Sequence, residues 1–133
     1  MKPNLEKALA AKRESKRIDF KENFDPSTKE GWCEIIKDIV SMANSGGGVI
    51  LFGLDNTGRP LGVDVTAILK LDHAVITDKI NSYTENHFSE FEIVELTKES
   101  HQVAAIKIGP SNVPLVFTKP GTYPVSDKKQ QTA

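Results

Sequence analysis

The feature that most constrains the fold is a helix pattern that runs through a glycine turn directly into an apolar strand. Residues 27–30, Ser-Thr-Lys-Glu, have the S-x-x-E spacing of a capping box and predict a helix N-terminus. The apolar stripe that follows has helical periodicity, and three glycines at 46–48 end the helix. The stripe consists of Trp32, Ile35, Ile36, Ile39, Val40, Met42 and Ala43. Residues 49–54 are too apolar on both faces for an exposed strand, so we expect a central strand covered on both sides.

The remaining patterns fix the fold class. Helical periodicity predicts helices over 4–13 and 72–87, the second with Val75, Ile76, Ile80 and Tyr83 facing inward. Alternation predicts strands over 17–22, 59–63, 91–96 and 103–108, with turns at 55–58 and 99–101. The strand at 17–22 is expected to pair in parallel with the strand at 49–54 through a right-handed crossover. This order predicts an α+β fold: a single domain over 1–125 with a mixed β-sheet and packed helices, then a polar tail over 126–133.

Composition narrows the class of protein. The chain has 133 residues, 38% of them hydrophobic, which suits one domain with a core. Its apolar runs stay far short of the ~20 residues that a membrane span needs. The mixed-charge N-terminal segment has no signal-peptide core. The single cysteine, Cys33, excludes an internal disulfide and is expected to be an inert packing residue. We therefore predict a cytoplasmic protein without a membrane partner.

Three kinds of catalytic or ligand-binding motif fail in this sequence. Residues 53–60 nearly match the Walker A spacing, but Arg59 replaces the lysine and Pro60 cannot supply the hydroxyl that holds Mg²⁺. His73, His87 and His101 stand 14 residues apart, without a companion at zinc spacing. No serine lies in a G-x-S-x-G elbow. A P-loop ATPase, a zinc site and a serine hydrolase are therefore not predicted.

Charge is distributed unevenly along the chain. The net charge is −1, which argues against binding nucleic acid by bulk charge. Residues 1–29 nevertheless hold eight basic and five acidic side chains, a net of +3. Five of the basic residues crowd into one stretch: Lys12, Arg13, Lys16, Arg17 and Lys21. This stretch is either an ordinary solvated surface or a strip that contacts phosphates.

Three stretches, in order, carry a family pattern. Residues 14–21 read Glu-Ser-Lys-Arg-Ile-Asp-Phe-Lys, residues 43–48 read Ala-Asn-Ser-Gly-Gly-Gly, and residues 53–63 form a strand end with a glycine-framed turn. Together they resemble the Schlafen AlbA-like domain family, over about residues 12–108. The family begins with E-S-x-x-x-E-F-K, so Asp19 stands where a glutamate is usual. Residues 121–126 are a degenerate form of the family's closing strand.

The resemblance implies a regulatory domain that binds DNA or RNA. The residues expected to contact nucleic acid are Arg13, Lys16, Arg17, Lys21 and Arg59. Because animal Schlafen proteins use related domains as RNA endonucleases, an alternative is a metal-dependent ribonuclease acting on tRNA-like substrates. Its catalytic trio would be Glu14, Asp19 and Asp55, which would hold Mg²⁺ or Mn²⁺. A third hypothesis is a protein-interaction or assembly module.

The three acids also have ordinary interpretations. Asp55 begins an Asp-Asn-Thr-Gly turn, where aspartate is common for local hydrogen bonding. Asp19 and Lys21 point to the same side of their strand and could form a surface salt bridge. Glu14 could be a helix-end residue, and Asn44 is expected to help end its helix.

Self-association is a further expectation. A homodimer would double the basic strip around one groove, and two-fold pairing is the commonest closed symmetry. It would also cover Leu115, Val116 and Phe117, apolar positions that a short sheet leaves open. The proline-rich C-terminal region resembles a linker, which predicts further domains in a longer parent chain.

Overall fold

One mixed sheet with helices on both faces organises the protein. The computed structural model describes residues 4–118. Its elements are α1 (Leu5–Ala10), β1 (Ile18–Lys21), α2 (Lys29–Asn44), β2 (Gly48–Phe52), α3 (Thr66–Leu69), α4 (His73–Thr84), β3 (Phe91–Lys98) and β4 (His101–Ile108). The strand order is β1-β2-β4-β3; β1 and β2 are parallel, and the other two pairs are antiparallel. The predicted α+β fold is confirmed.

The central strand β2 separates two hydrophobic clusters. It is buried at every position, as its apolar sequence predicts. Ile50 and Phe52 belong to the larger cluster, formed with α2 and α4, and we call this side of the sheet the α2 face. Val49 and Leu51 belong to the smaller cluster, formed with α1, and this side is the α1 face. In the part of the chain that the structure describes, no helix is long and apolar enough to cross a membrane.

Helix α2 is the element that the sequence predicts best. All residues of its apolar stripe are buried, and Cys33 packs with them at 1% exposure. Burial raises the pKa of the Cys33 thiol, which fits an inert packing role. The helix begins one residue later than the capping box predicts, because Thr28 is the N-cap and accepts from the Gly31 N–H at 3.0 Å. Ser27 instead donates its hydroxyl to Asp25 at 2.6 Å.

The glycine turn after α2 works as expected. The Gly47 N–H donates to the Met42 carbonyl at 2.8 Å, which ends the helix. Gly47 has a φ of 100°, and a Cβ there would lie 2.7 Å from the Ile108 carbonyl oxygen. This position therefore needs glycine both for its conformation and for the close approach to β4.

One predicted strand is absent and several element boundaries differ from the prediction. The predicted strand over 59–63 is wrong: Pro60 forms an isolated bridge with Leu54, and the rest of the segment is irregular. Helix α1 ends at Ala10, before Lys12 and Arg13. Helix α4 ends at Thr84, followed by Glu85 in the left-handed region with φ 56°.

The side chains of α4 correct another prediction. Ile76 and Ile80 are buried as expected, and Tyr83 packs partly buried against the larger cluster. Val75, however, is 40% exposed, so its predicted inward position is wrong. The hairpin of β3 and β4 is longer than predicted, because its turn consists of two residues, Glu99 and Ser100.

The segment after β4 is tied to the helices. The Asn44 side chain donates to the Leu115 carbonyl at 2.9 Å and accepts from the Leu115 N–H at 2.8 Å. Leu115 is buried and Phe117 packs partly buried near Tyr83, so the expectation that the sheet leaves these two positions open is wrong. Val116 is 64% exposed. The predicted tail over 126–133 and the degenerate strand over 121–126 lie outside the described residues.

Candidate nucleic-acid interface

Glu14 closes the outer edge of the sheet. Its Oε2 accepts from the Phe20 N–H at 3.2 Å. Beside it, the backbones of Ser15 and Ile18 exchange hydrogen bonds of 2.9 and 3.3 Å. These groups lie on the side of β1 that faces away from β2. The first motif stretch therefore has a structural role: it satisfies an edge that would otherwise expose unpaired backbone groups.

Glu14 and Asp19 form a pair of carboxyl groups, as the trio requires. The hydrogen bond with Asp19 raises the pKa of Glu14, and partial burial adds to the increase. The Phe20 N–H and the charge of Lys21 act in the opposite direction but do not cancel it. The charge of Asp19 also disfavours ionisation of Glu14, because two neighbouring carboxylates repel each other.

Lys21 lies on the α2 face among acids. Its Nζ is 2.8 Å from an Asp38 oxygen, 3.2 Å from Asp19 and 3.9 Å from Glu34. We call these four residues the Lys21 cluster. Burial alone would lower the Lys21 pKa, but the contacts with Asp38, Asp19 and Glu34 outweigh it and raise the pKa. Desolvation raises the pKa of Asp38 despite the attraction of Lys21, since one ammonium is shared among three carboxylates.

Asp55, the third predicted acid, has a turn-forming role. Its Oδ1 accepts from the Thr57 N–H at 2.8 Å, the Thr57 hydroxyl at 2.7 Å and the Arg59 N–H at 3.0 Å. The Thr57 hydroxyl, followed by these two backbone donors, lowers the pKa of Asp55. The carboxylate therefore organises the loop that carries Arg59.

The three acids do not fit a shared metal ion in this arrangement. Within residues 4–118, no three His, Cys, Asp or Glu side chains are grouped closely enough to hold a metal. The structure brings Glu14 and Asp19 together, but the ammonium of Lys21 already neutralises Asp19 at 3.2 Å. Asp55 uses one oxygen for its own turn. A Mg²⁺ or Mn²⁺ site needs several convergent oxygen ligands, which these residues do not provide together.

The predicted basic residues do not all lie together. Lys21 belongs to the acidic cluster just described. Arg17 places its guanidinium over the glycine turn, where a Cβ on Gly46 would lie 2.9 Å from an Nη atom. Lys16 is exposed just before β1. Arg13 and Arg59 are exposed at another point, where α1 meets the loop after β2.

Gly58 is the point where three segments meet. A Cβ on this residue would lie 2.5 Å from the Ala11 carbonyl oxygen, so the end of α1 packs directly on the loop. From the tip of the hairpin, the Lys98 Nζ donates to the Gly58 carbonyl at 2.7 Å. Each segment contributes a basic residue next to the contact. We call this group the basic corner: Lys12, Arg13, Arg59 and Lys98.

Sequence reasoning missed Lys98 and the two acids of α2. Lys98 lies on the α1 face because residues two apart in a strand share a face, and Leu96 and Val94 point to that side. The hairpin register could have placed it there. Glu34 and Asp38 are four residues apart on the polar face of α2. This spacing places them side by side and could have predicted the acid pair that faces β1.

Comparisons with known proteins agree with this fold. The family model described as Schlafen, AlbA_2 matches residues 14–132, so the chain belongs to this family. A solved structure, the DIP2311 protein from Corynebacterium diphtheriae, is similar with a TM-score of 0.54 and 20% sequence identity. The similarity covers 86% of this chain but 26% of that one, and at this identity it shows the fold alone. No curated protein matches the chain.

Proposed function

We propose that this Schlafen AlbA_2 domain binds nucleic acid through the basic corner. The observation that carries the proposal is the meeting of three segments at Gly58, each with a basic residue beside the contact. Lys12, Arg13 and Arg59 are exposed. Lys98 donates to a backbone carbonyl, and this neutral acceptor does not cancel the charge of the lysine. Phosphate groups favour such clustered cations, since each neutralised contact releases counterions.

The distribution of the acids supports the same surface. Asp19, Glu34 and Asp38 are gathered around Lys21 on the α2 face, whereas Asp55 shares the loop of Arg59 and offsets part of its charge. The net charge of −1 therefore understates the local positive charge at the corner. Contacts with the phosphate groups of a nucleic acid carry no sequence information. This surface alone therefore supports binding to either DNA or RNA.

Salt-dependent titration tests the proposal. Fluorescence anisotropy with labelled duplex DNA and single-stranded RNA should show binding that weakens steeply with added salt. Replacing Arg13 or Arg59 by Gln should reduce the slope of log affinity against log salt by about 1 each. The matched control is Lys70→Gln, an exposed lysine after α3, which should leave the slope unchanged. Absence of binding to both probes at low salt would contradict the proposal.

The second candidate is ribonuclease activity, favoured by the proximity of Glu14 and Asp19, although the described residues do not group Asp55 with them. The purified chain would be incubated with tRNA and Mn²⁺ beside Glu14→Gln and Asp55→Asn variants. Cleavage that both variants abolish would support the trio. Undegraded RNA at high protein excess would reject this candidate and leave the binding proposal intact.

Homodimer formation is a separate proposal. Val113 and Val116 are 54% and 64% exposed on the segment after β4, and pairing there would cover them. Light scattering at micromolar concentration tests it, and a molar mass near 14.6 kDa would reject it.

A further inference from the structure

An exposed leucine follows Arg59 in the loop after β2. Leu61 is 41% exposed, whereas every residue of β2 is buried. The next apolar residue of the loop, Val63, is 37% exposed. Single exposed apolar side chains are common on protein surfaces, so the position of Leu61 relative to Arg59 decides whether it can serve a ligand.

The backbone around Leu61 is held in a defined shape. The Leu61 N–H donates to the Gly53 carbonyl at 2.9 Å, and Pro60 forms an isolated antiparallel bridge with Leu54. The Arg59 carbonyl accepts from the N–H of the first residue of the turn at 2.9 Å. These contacts close a short ribbon whose outgoing segment is residues 59–61.

Arg59 and Leu61 project from the same side of this segment. A residue before proline favours extended backbone and Pro60 lies in a bridge, so side chains two positions apart share a side. Leu54, the bridge partner of Pro60, is fully buried in the smaller cluster. Paired residues face the same side, so Pro60 turns inward and its two neighbours turn outward. Their Cα atoms are separated by about 6.6 Å, the rise of two extended residues.

Two acids limit where a nucleic acid can lie on this loop. Asp55 accepts from the Arg59 N–H at 3.0 Å and is directed into the turn. Asp64, three positions after Leu61, accepts from the Thr66 N–H at 2.9 Å, and its charge repels phosphate at that end of the loop. Leu61 thus lies between a cation and an acid along the chain, where an uncharged part of the ligand fits best.

We infer that Leu61 packs against the sugar beside the phosphate that Arg59 contacts, and that this packing favours DNA over RNA. The inference rests on the proposed function, because it adds a sugar contact to the basic corner. Deoxyribose presents only C–H groups at C2′, which suit an aliphatic side chain. Ribose carries a hydroxyl there, a donor and acceptor that leucine cannot satisfy. Covering that hydroxyl without a hydrogen-bond partner costs free energy, whereas covering deoxyribose does not.

Two oligonucleotides that differ only in the 2′-hydroxyl test the inference. They are single strands of deoxyuridine and of uridine, equal in length. Fluorescence anisotropy with the full chain should show at least about tenfold tighter binding of the deoxyuridine strand. The salt slopes of the two strands should be equal, because the same number of phosphates is neutralised.

Variants of Leu61 assign the preference to its side chain. Leu61→Asn offers the hydroxyl a hydrogen-bond partner, so the preference should fall to within about twofold while the salt slope is unchanged. Leu61→Ala removes the apolar contact and should weaken deoxyuridine binding more than uridine binding. Both variants keep the backbone bond to Gly53. The matched control is Val75→Asn, at a 40% exposed position of α4, which should keep the preference.

The outcomes separate this inference from the binding proposal. Salt-dependent binding of the uridine strand that is as tight as, or tighter than, that of the deoxyuridine strand would overturn the inference and leave the binding proposal intact. A preference that persists in folded Leu61→Asn, or that Val75→Asn also removes, would do the same. Absence of binding to both strands and to duplex DNA would overturn both.

Discussion

The Lys21 cluster and the basic corner both contain cationic side chains, but they place them in different surroundings. The Lys21 side chain is 19% exposed and has three carboxylates within 3.9 Å. The residues of the corner lie around a backbone contact at Gly58, and Arg13 and Arg59 are exposed. A cation that already satisfies several carboxylates has little attraction left for phosphate. The cluster therefore belongs to the fold, and the corner is available to a ligand.

The difference arises from the period of a β-strand. Arg17 and Lys21 belong to one basic stretch of sequence, yet Arg17 precedes β1 and Lys21 is its last residue. Alternation sends Lys21 to the α2 face with Asp19, whereas Ile18 and Phe20 enter the α1 face. Counting positive residues along the chain thus overstates how many of them can meet one ligand.

The strongest test of the corner is Gly58→Ala. The residue has a φ of 82°, and a Cβ would lie 2.5 Å from the Ala11 carbonyl. Left-handed strain and the backbone clash together should destabilise the chain by about 3 kcal/mol and separate α1 from the loop. Urea unfolding measures the loss. Gly62→Ala is the control: its φ of 70° is also positive, but its nearest contact is the His101 ring at 3.4 Å, so its loss should be smaller. Equal losses would contradict the packing argument.

The matching test of the cluster is Lys21→Met. Methionine keeps the aliphatic stem but leaves the partly buried carboxylates of Asp19 and Asp38 without their cation. We expect a loss of about 2 kcal/mol in unfolding free energy, below the value for a fully buried pair because solvent reaches the site. Nucleic-acid affinity, measured on the folded variant, should stay within about twofold of the wild type. A large affinity loss with unchanged stability would reverse the assignment of the two regions.

Lys98→Met should change both the stability of the fold and the binding of nucleic acid, so it tests the two regions together. Loss of the 2.7 Å bond to the Gly58 carbonyl should lower the unfolding free energy by about 1 kcal/mol. Loss of the charge should reduce the salt slope of nucleic-acid binding by about 1. Lys98→Arg keeps the charge and should retain the slope. An unchanged slope in the methionine variant would remove Lys98 from the interface.

The sequence predicts well what depends on local pattern. The stripe of α2, the glycine turn and the buried β2 follow from periodicities within a few residues, and each is confirmed. Glu14 and Asp19 lie close together because they are only five positions apart in the sequence, across a tight turn. By contrast, the strand predicted over 59–63 fails. Pro60 has no N–H for a ladder, and Gly58 and Gly62 have positive φ.

What the sequence could not supply is the pairing of distant elements. The acids that hold Lys21 come from α2, and their approach depends on how that helix crosses the sheet. Lys98 reaches Gly58 across forty positions of chain, because the hairpin tip folds over the loop. Asn44 was expected to end its helix, but its side chain binds the Leu115 backbone. Each of these contacts depends on how distant elements pack together, which residue type and spacing along the chain do not determine.

The smallest expected effect tests whether Glu14 holds the edge of β1 as a hydrogen-bond acceptor or as an ionised carboxylate. Its pKa in the folded chain is raised above the usual 4.5, chiefly by the hydrogen bond with Asp19. A group whose folded pKa is raised contributes stability that is present below the unfolded pKa and is lost as pH rises through the folded pKa. Glu14→Gln removes this titration while keeping an acceptor for the Phe20 N–H and adding a donor toward Asp19.

We therefore expect Glu14→Gln to be more stable than the wild type at neutral pH, by at most about 0.5 kcal/mol because the site is solvent-exposed. The difference should shrink as pH falls toward 4.5, where the wild-type carboxyl regains its proton. Urea unfolding across this range measures it, with Glu22→Gln as the control that should follow the wild-type curve. A variant that is less stable at neutral pH would show that the ionised Glu14 carboxylate, rather than its role as an acceptor, holds the edge of β1.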